Sequence, residues 1–246
     1  MTPPGDSVRV TNVRVSNFRS LQNVDVSLED LTVLIGANNT GKSTFLDALY
    51  LAIGASRKVL GQEDIYIKID EALPPKDRVA TIDVMIRPTT ADGTIANTFP
   101  AGSYWTSLWG TGISQDDQAR DFVGVRSKLA WDLGKGEYAL SKRFLKEWLA
   151  FTKWLGAEEK DEWVTVTHIE PVALHYIDAK RDLDDDLRRP GSFWRRLTDD
   201  LGLEETDIAG FEEGLSKLNH AIIVPLHVKL ENLVASRRET FTAQAA

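Results

Sequence analysis

The chain has no cysteine among its 246 residues, which excludes disulfides, cysteine nucleophiles and cysteine-ligated metal sites. It has no apolar run near the roughly 18 residues that a membrane span requires, and its start, MTPPGDSVRV, lacks the apolar core of a signal peptide. The net charge is −8, which argues against a uniformly basic nucleic-acid-binding surface but leaves room for local basic patches. A cytoplasmic protein of one or two domains, with no membrane partner, is expected.

What the sequence does contain is a phosphate-binding loop, within VLIGANNTGKSTFLDALYLAIG at residues 33–54. Gly36, Gly41, Lys42 and Ser43 fit the pattern G-x-x-x-x-G-K-[ST] at every position. The glycines permit torsions and close approaches that a Cβ would block, and backbone N–H groups of the loop converge on phosphate oxygens. The Lys42 ammonium is expected to reach the β- and γ-phosphates, and the Ser43 hydroxyl to ligate Mg²⁺.

The flanking residues predict the strand and the helix that such a loop requires. Residues 31–36, LTVLIG, form a near-continuous apolar run, typical of a strand buried on both faces. Apolar residues at helical spacing after the loop predict a helix that ends at Gly54. Upstream, alternation over residues 8–18, with a slip near Asn12 that indicates a bulge, and over residues 24–28 predicts an antiparallel hairpin.

The middle of the chain gives local predictions only. DRVATIDVMIRP alternates as a half-buried strand ended by Pro88, and residues 89–112 are interpreted as an insertion of loops and short strands. Residues 138–156 place apolar side chains on one helical face and predict a helix that ends at Gly156. Six of the seven tryptophans fall between Trp105 and Trp163, and they are expected to build a core rather than a stacking platform.

The C-terminal third predicts two strands, in WVTVTHI and VALHYI, and then helices. GSFWRRLTDDLG fits a short helix with Ser192 as its N-cap, and residues 207–241 fit a helical pattern that Pro225 kinks or splits. The arginines and aromatics of RRPGSFWRR could contact a nucleic-acid backbone and stack a base. A helix whose arginines lie over an apolar face is the favoured alternative.

NFRS at residues 17–20, followed by GANNTGKST, resembles the ABC-type ATPase heads of the RecF, SMC and OLD (overcoming lysogenization defect) nuclease group. In that group a hairpin carrying N-F-[RK]-[SG] precedes G-x-N-x-[ST]-G-K-[ST]. The matching positions are Asn17, Phe18, Arg19, Ser20, Gly36, Asn38, Gly41, Lys42, Ser43 and Thr44. The resemblance implies an α/β fold, namely a P-loop NTPase head with an N-terminal antiparallel β-hairpin subdomain and a C-terminal helical arm.

The same resemblance implies a binding site for ATP and Mg²⁺ in which Ser43 is the metal ligand. Arg19 would lie near the base or the phosphates, although a solvated residue at a strand end fits the pattern equally well. Asn38 would line the γ-phosphate region, and Thr44 would support the helix start and the α-phosphate. The expected cofactor-binding set is Arg19, Gly36, Asn38, Asn39, Thr40, Gly41, Lys42, Ser43 and Thr44.

A second segment, HYIDAKRDLDDDLRRPGSFWRRL, favours the OLD branch because it resembles the region that follows a strand in OLD-type heads. Its matching positions are Tyr176, Ile177, Ala179, Arg181, Asp182, Ser192 and Trp194. GLSKLNHAI then resembles the start of the helical arm. The expected organisation is residues 1–90 as the P-loop and antiparallel subdomain, 91–163 as an insertion, 164–204 as return strands and 205–246 as the start of the arm.

Elements that complete catalysis in this group are missing from the sequence, so no catalytic residue is assigned. LSKL at Leu215 lacks the signature glycine, Asp178 is followed by Ala179 instead of a catalytic glutamate, and Asp83 in TIDV lies too early. The Toprim nuclease of OLD proteins is absent too. The chain is expected to hold the nucleotide-cradling half of an incomplete head, as a truncation, a disrupted reading frame or a subunit completed by another polypeptide.

Three functions follow from these observations. The leading hypothesis is the ATP-binding part of an OLD-like ATPase, assembled as a homodimer or higher oligomer through the head and arm, that gates a nuclease acting on DNA in repair or antiphage defence. The second is a non-catalytic nucleotide-binding subunit that needs a partner chain. The third, a GTPase or small-molecule kinase, is disfavoured because the sequence has no N-K-x-D element.

Two further clusters are interpreted as structural. The four histidines, His168, His175, His220 and His227, form no H-E-x-x-H or close ligand cluster, so a zinc site is not expected. The acidic run DLDDD at residues 182–186 lacks the glycine and glutamate of an EF-hand, and a solvated loop is preferred.

Overall fold

A computed structural model describes residues 7–37, 40–54, 60–172 and 174. The chain divides into two compact units, Met1–Tyr176 and Ile177–Ala246, and every described residue lies in the first. The predictions for GSFWRRLTDDLG, for residues 207–241 and for most of VALHYI therefore lie outside the described residues.

The described residues build one antiparallel sheet of seven strands. Its order is β2-β1-β3-β5-β6-β7, and the short β4 pairs with β5. The strands are β1 Ser7–Phe18, β2 Leu21–Ser27, β3 Ala80–Thr89, β4 Ile113–Gln115, β5 Asp121–Asp132, β6 Glu137–Leu145 and β7 Glu159–Trp163. Residues 91–163, expected to form an insertion, thus contribute β4 to β7 to the same sheet as the first three strands.

Helices are few and short in this part of the chain. The α-helices are α1 Lys42–Ile53, α2 Tyr104–Trp109 and α3 Val166–Ile169. Single 3₁₀ turns lie at Gln62–Asp64, Gly110–Gly112, Trp154–Gly156 and Glu170–Val172.

The N-terminal strand and the helix after the loop agree with the sequence patterns. β1 pairs with β3 with a register shift between Val10 and Asn12, which confirms the predicted bulge. α1 ends where predicted, because the Gly54 N–H donates to the Tyr50 carbonyl at 2.8 Å and the backbone then becomes extended.

α1 lies against an apolar face of the sheet. Directly paired valines and isoleucines of β1, β3 and β5 form this face, and they are joined by one side of the helix. The buried members include Val13, Val15, Ile82, Val84, Val125, Phe45, Ala48, Leu49 and Ala52. Removing this apolar surface from water, at about 25 cal/mol per Å², holds the helix on the strands.

β3 is more buried than its alternating pattern predicts. All ten of its residues are buried, including the polar Thr81, Asp83 and Arg87, so the prediction of a half-buried strand is wrong. The reason is that β3 lies between β1 and β5 and both of its faces are covered. Pro88 does not end the strand, which continues to Thr89. Pairing with β5 stops at Ile86, so the N–H that proline lacks is not needed for a hydrogen bond to β5.

The apolar run before the phosphate-binding loop does not form the predicted strand. Residues 32–37 are irregular, and the side chains of Leu31, Val33 and Ile35 are 69%, 50% and 81% exposed. A strand buried on both faces requires hydrogen-bonded neighbours. None of the described strands pairs with this segment, so the apolar pattern alone does not place it in the sheet.

The prediction of a helix over residues 138–156 is also wrong. Residues 137–145 form β6, which pairs with β5 from Val125↔Phe144 to Asp132↔Glu137, and an irregular segment then leads to the 3₁₀ turn Trp154–Gly156. A tight turn fixes the hairpin: the Asp132 carboxylate accepts from the Gly134 and Lys135 N–H groups, and Gly136 has a φ of 69°. Cross-strand pairing overrides the helical spacing.

Two smaller predictions also need correction. WVTVTHI is not a strand, since β7 ends at Trp163 and α3 begins at Val166. The region 89–112, interpreted from the sequence as loops and short strands, contains the helix α2 with Ser103 as its N-cap. Trp105, Trp109 and Trp154 are buried, as expected for core tryptophans, whereas Trp163 is half-exposed.

Candidate phosphate-binding site

The loop reaches α1 through a left-handed glycine. Gly41 is the N-cap with φ of 92°, a conformation that side chains disfavour, and its carbonyl accepts from the Phe45 N–H at 2.8 Å to begin the helix. A Cβ at this position would lie 2.6 Å from Leu21 Cδ2. Glycine is therefore favoured here by torsion, and a larger residue would also force the Leu21 side chain of the hairpin to shift.

Lys42 is folded back over the loop that precedes it. Its ammonium donates to the carbonyls of Gly36 at 2.8 Å and Ala37 at 2.7 Å. The Thr40 hydroxyl also donates to the Ala37 carbonyl, at 3.0 Å, and a Cβ on Gly36 would lie 2.8 Å from that hydroxyl oxygen. Gly36, Thr40, Gly41 and Lys42 are thus brought together around one cationic group at the start of a helix.

The first turn of α1 presents two hydroxyls. Ser43 is exposed, and the Thr44 hydroxyl accepts from the Ser20 hydroxyl at 3.2 Å. The N–H groups of a first helical turn have no intrahelical acceptors, so this end of α1 favours anions. Asn38 and Asn39, the other two predicted site residues of the loop, lie outside the described residues.

Arg19 follows the end of β1 and forms ion pairs that neither sequence-based expectation included. Its Nε donates to Asp64 Oδ1 at 2.7 Å, and its Nη1 forms an ion pair with Asp47 of α1. Partial burial lowers the pKa of Arg19, but the hydrogen bonds to Asp64 and Asp47 more than offset this and leave the pKa raised. The guanidinium therefore remains charged and is engaged by two carboxylates.

The donor set fits a magnesium ion held mainly by phosphate and water. No cluster of three or more His, Asp or Glu side chains suited to a metal is found among the described residues. Mg²⁺ usually keeps several waters and takes only one or two protein ligands beside substrate phosphates, and the exposed Ser43 hydroxyl at the helix start suits that role. No dedicated protein cage is needed for such an ion.

The sequence patterns missed three contacts that position α1. Asp47 and Asp64 hold Arg19, and the Lys142 ammonium from β6 donates to the carbonyls of Leu51 and Ala52 at 2.8 and 2.9 Å. Burial lowers the pKa of Lys142 to about 8. Of these residues, Asp47 could have been singled out from the sequence, because it lies one helical turn after Ser43 on the predicted helix.

Comparison with known families agrees with the loop geometry. Residues 9–85 match the family model described as an AAA ATPase domain. This span includes most of β1, all of β2 and α1, and the first part of β3. No curated protein matches the chain. The family match supports an ATP-binding ATPase domain with an α/β nucleotide-binding fold. No helix in the described part of the chain is both long and apolar enough to cross a membrane.

Proposed function

We propose that the chain is the ATP-binding N-terminal part of a cytoplasmic OLD-like ABC-type ATPase. In this proposal two heads close around ATP, as a homodimer or higher oligomer, and binding gates a nuclease that acts on DNA in repair or antiphage defence. The ATPase class is supported by the family match over residues 9–85. The OLD branch, the oligomer, the DNA and the nuclease rest on the resemblance of NFRS and GANNTGKST.

One observation carries the nucleotide site: a left-handed glycine opens α1 while the next residue folds its ammonium over the loop. Gly41 and Lys42 have this geometry. On binding, Lys42 would exchange the Gly36 and Ala37 carbonyls for β- and γ-phosphate oxygens, which are stronger partners because they are charged. Ser43 would ligate Mg²⁺, which when bound neutralises phosphate charge.

The test is the affinity for ATP with Mg²⁺, measured by titration calorimetry, in Lys42→Ala. The variant removes the ammonium that lies over the loop, and we expect at least about tenfold weaker binding, equivalent to about 1.4 kcal/mol. Lys135→Ala is the matched control, because Lys135 is exposed in the turn between β5 and β6, and its affinity should equal that of the unaltered protein. Unchanged binding in Lys42→Ala would contradict the site.

A second candidate is a nucleotide-binding subunit that does not hydrolyse ATP unless a partner chain supplies the missing residues. The observation that favours it is the absence from the sequence of four apolar residues followed by Asp-Glu. ATP turnover by the isolated chain separates the two candidates. Steady ATP hydrolysis by the isolated chain that Lys42→Ala abolishes would exclude the non-catalytic subunit. ATP binding without hydrolysis, with hydrolysis appearing only when a partner chain is added, would favour it.

A further inference from the structure

The turn between β1 and β2 lies along one face of α1. Residues three apart on a helix share a face, and the two turn residues and Leu21, the first residue of β2, each meet one of them. Leu21 lies over Gly41, the Ser20 hydroxyl donates to Thr44, and Arg19 forms an ion pair with Asp47. The connection between β1 and β2 therefore runs alongside the N-terminal half of α1, the helix that carries Lys42 and Ser43.

This turn is held in a strained conformation. Asn17 and Arg19 both have positive φ values, 55° and 46°, which cost of order 1–3 kcal/mol each in non-glycine residues and persist only where surrounding contacts over-determine them. Those contacts are present. The Arg19 N–H donates to the Asp64 carbonyl and the Tyr66 N–H donates to the Asn17 carbonyl, both at 2.9 Å.

Asp64 gives the turn a fixed anchor on the other side. Its side chain is only 2% exposed, and its second carboxylate oxygen accepts from the Gly61 N–H at 3.1 Å. The same carboxylate accepts from Arg19 Nε. A buried carboxylate that lost this partner would be left uncompensated, which is costly, so Arg19 is bound tightly at the Asp64 end of the bridge.

We propose that Arg19 is a positioning residue that connects buried Asp64 to Asp47 of α1 and so fixes the helix that presents Lys42 and Ser43. The inference rests on the proposed nucleotide site and gives Arg19 an indirect role in it. Asp47 lies four residues after Ser43, one helical turn away on the same face. A shift of α1 at Asp47 therefore moves the Ser43 hydroxyl and the Lys42 ammonium relative to the phosphates.

The experiment compares Asp47→Asn, Arg19→Ala and the double variant by calorimetric titration with ATP and Mg²⁺, after circular dichroism shows that each is folded. If Arg19 acts through Asp47, each single variant weakens binding by about three- to tenfold, as expected for losing a partly buried ion pair. The double variant should be no weaker than the worse single variant. Arg19→Lys, which keeps a cation within reach of the carboxylates, should recover part of the loss.

A direct contact between Arg19 and the nucleotide predicts a different pattern and would overturn the proposal. Asp47→Asn would then free Arg19 and leave binding unchanged or tighter, while Arg19→Ala would still weaken it. Asp25→Asn is the matched control, because Asp25 is similarly exposed and is paired with Arg14 away from α1; its affinity should not change. Lys42→Ala, measured in parallel, separates failure of this inference from failure of the nucleotide site itself.

Discussion

The two faces of the sheet are both covered, but by opposite chemistry. Beneath α1, paired valines and isoleucines meet the apolar side of the helix. On the other face, five strands place charged residues in direct register from one strand to the next. Across β2, β1, β3, β5 and β6 this charged row consists of Asp25, Arg14, Asp83, Arg126 and Arg143.

The three central members of the row, Arg14, Asp83 and Arg126, are buried, and the segment 146–158 supplies backbone acceptors for both arginines. Arg126 binds both carboxylate oxygens of Asp83, at 2.8 and 2.6 Å, and donates to the carbonyls of Trp154 and Ala157. Arg14 donates to the Leu149 carbonyl at 2.7 Å. Apolar packing depends on how well volume is filled, whereas a buried charge depends on every partner being present.

The largest expected effect comes from breaking the charged row at its centre. Arg126→Ala leaves Asp83 without its bidentate partner where both side chains are 1% exposed, and burial already raises the pKa of Asp83 against the opposing effect of Arg126. We expect a loss of about 3–5 kcal/mol in the free energy of unfolding, measured by urea denaturation.

The control removes both charges at once. Asp83→Leu combined with Arg126→Met should be less destabilised than Arg126→Ala alone, since no uncompensated charge remains. If the free energy of unfolding of Arg126→Ala is within about 1 kcal/mol of the unaltered protein's, the buried charges do not require every partner to be present.

The second-largest effect concerns Lys142, whose ammonium meets the end of α1 on the apolar face of the sheet. Burial lowers the pKa of Lys142 from 10.5 to about 8, so between these values the unfolded chain binds more protons than the folded chain. Stability contributed by this site therefore rises with pH across that window. From pH 7.5 to 9.5, the unfolding free energy should rise by about 1–2 kcal/mol relative to Lys142→Met, whose side chain does not titrate.

Denaturant unfolding of both proteins at each pH checks this, because the difference between them removes groups that they share. The quantity compared is the unfolding free energy of the unaltered protein minus that of Lys142→Met. A difference that stays constant with pH would show that Lys142 titrates alike in the folded and unfolded chains. A difference that falls as pH rises would have the opposite sign and contradict the burial of the ammonium against the Leu51 and Ala52 carbonyls.

The difference between the faces also shows what the sequence could and could not predict. The hairpin, the bulge and α1 follow from short-range patterns: alternation, a glycine-lysine motif and a terminating Gly54. Residues 138–156 carry apolar side chains at helical spacing, but their conformation was decided by pairing with β5. The irregular run 32–37 shows the converse, since a strand pattern requires a neighbour.

The contacts of the candidate site also divide into those that a local sequence pattern predicts and those that join distant parts of the chain. The loop motif identified Gly41 and Lys42 because their roles are local to the loop. The partners of Arg19 lie 28 and 45 residues away along the chain, at Asp47 and Asp64, and no local pattern joins residues at that separation. The same holds for Lys142, which meets the end of α1 from β6.

The smallest expected effect tests the apolar face, where one methylene at a time can be removed. Ile86→Val shortens a fully buried side chain of the core and should cost about 0.5–1.5 kcal/mol in urea unfolding. Ile69→Val makes the same change at a fully exposed position, and it should stay within about 0.5 kcal/mol of the unaltered protein. Equal losses at both positions would mean that packing on the apolar face contributes no more than the surface does, and the contrast between the two faces would no longer hold.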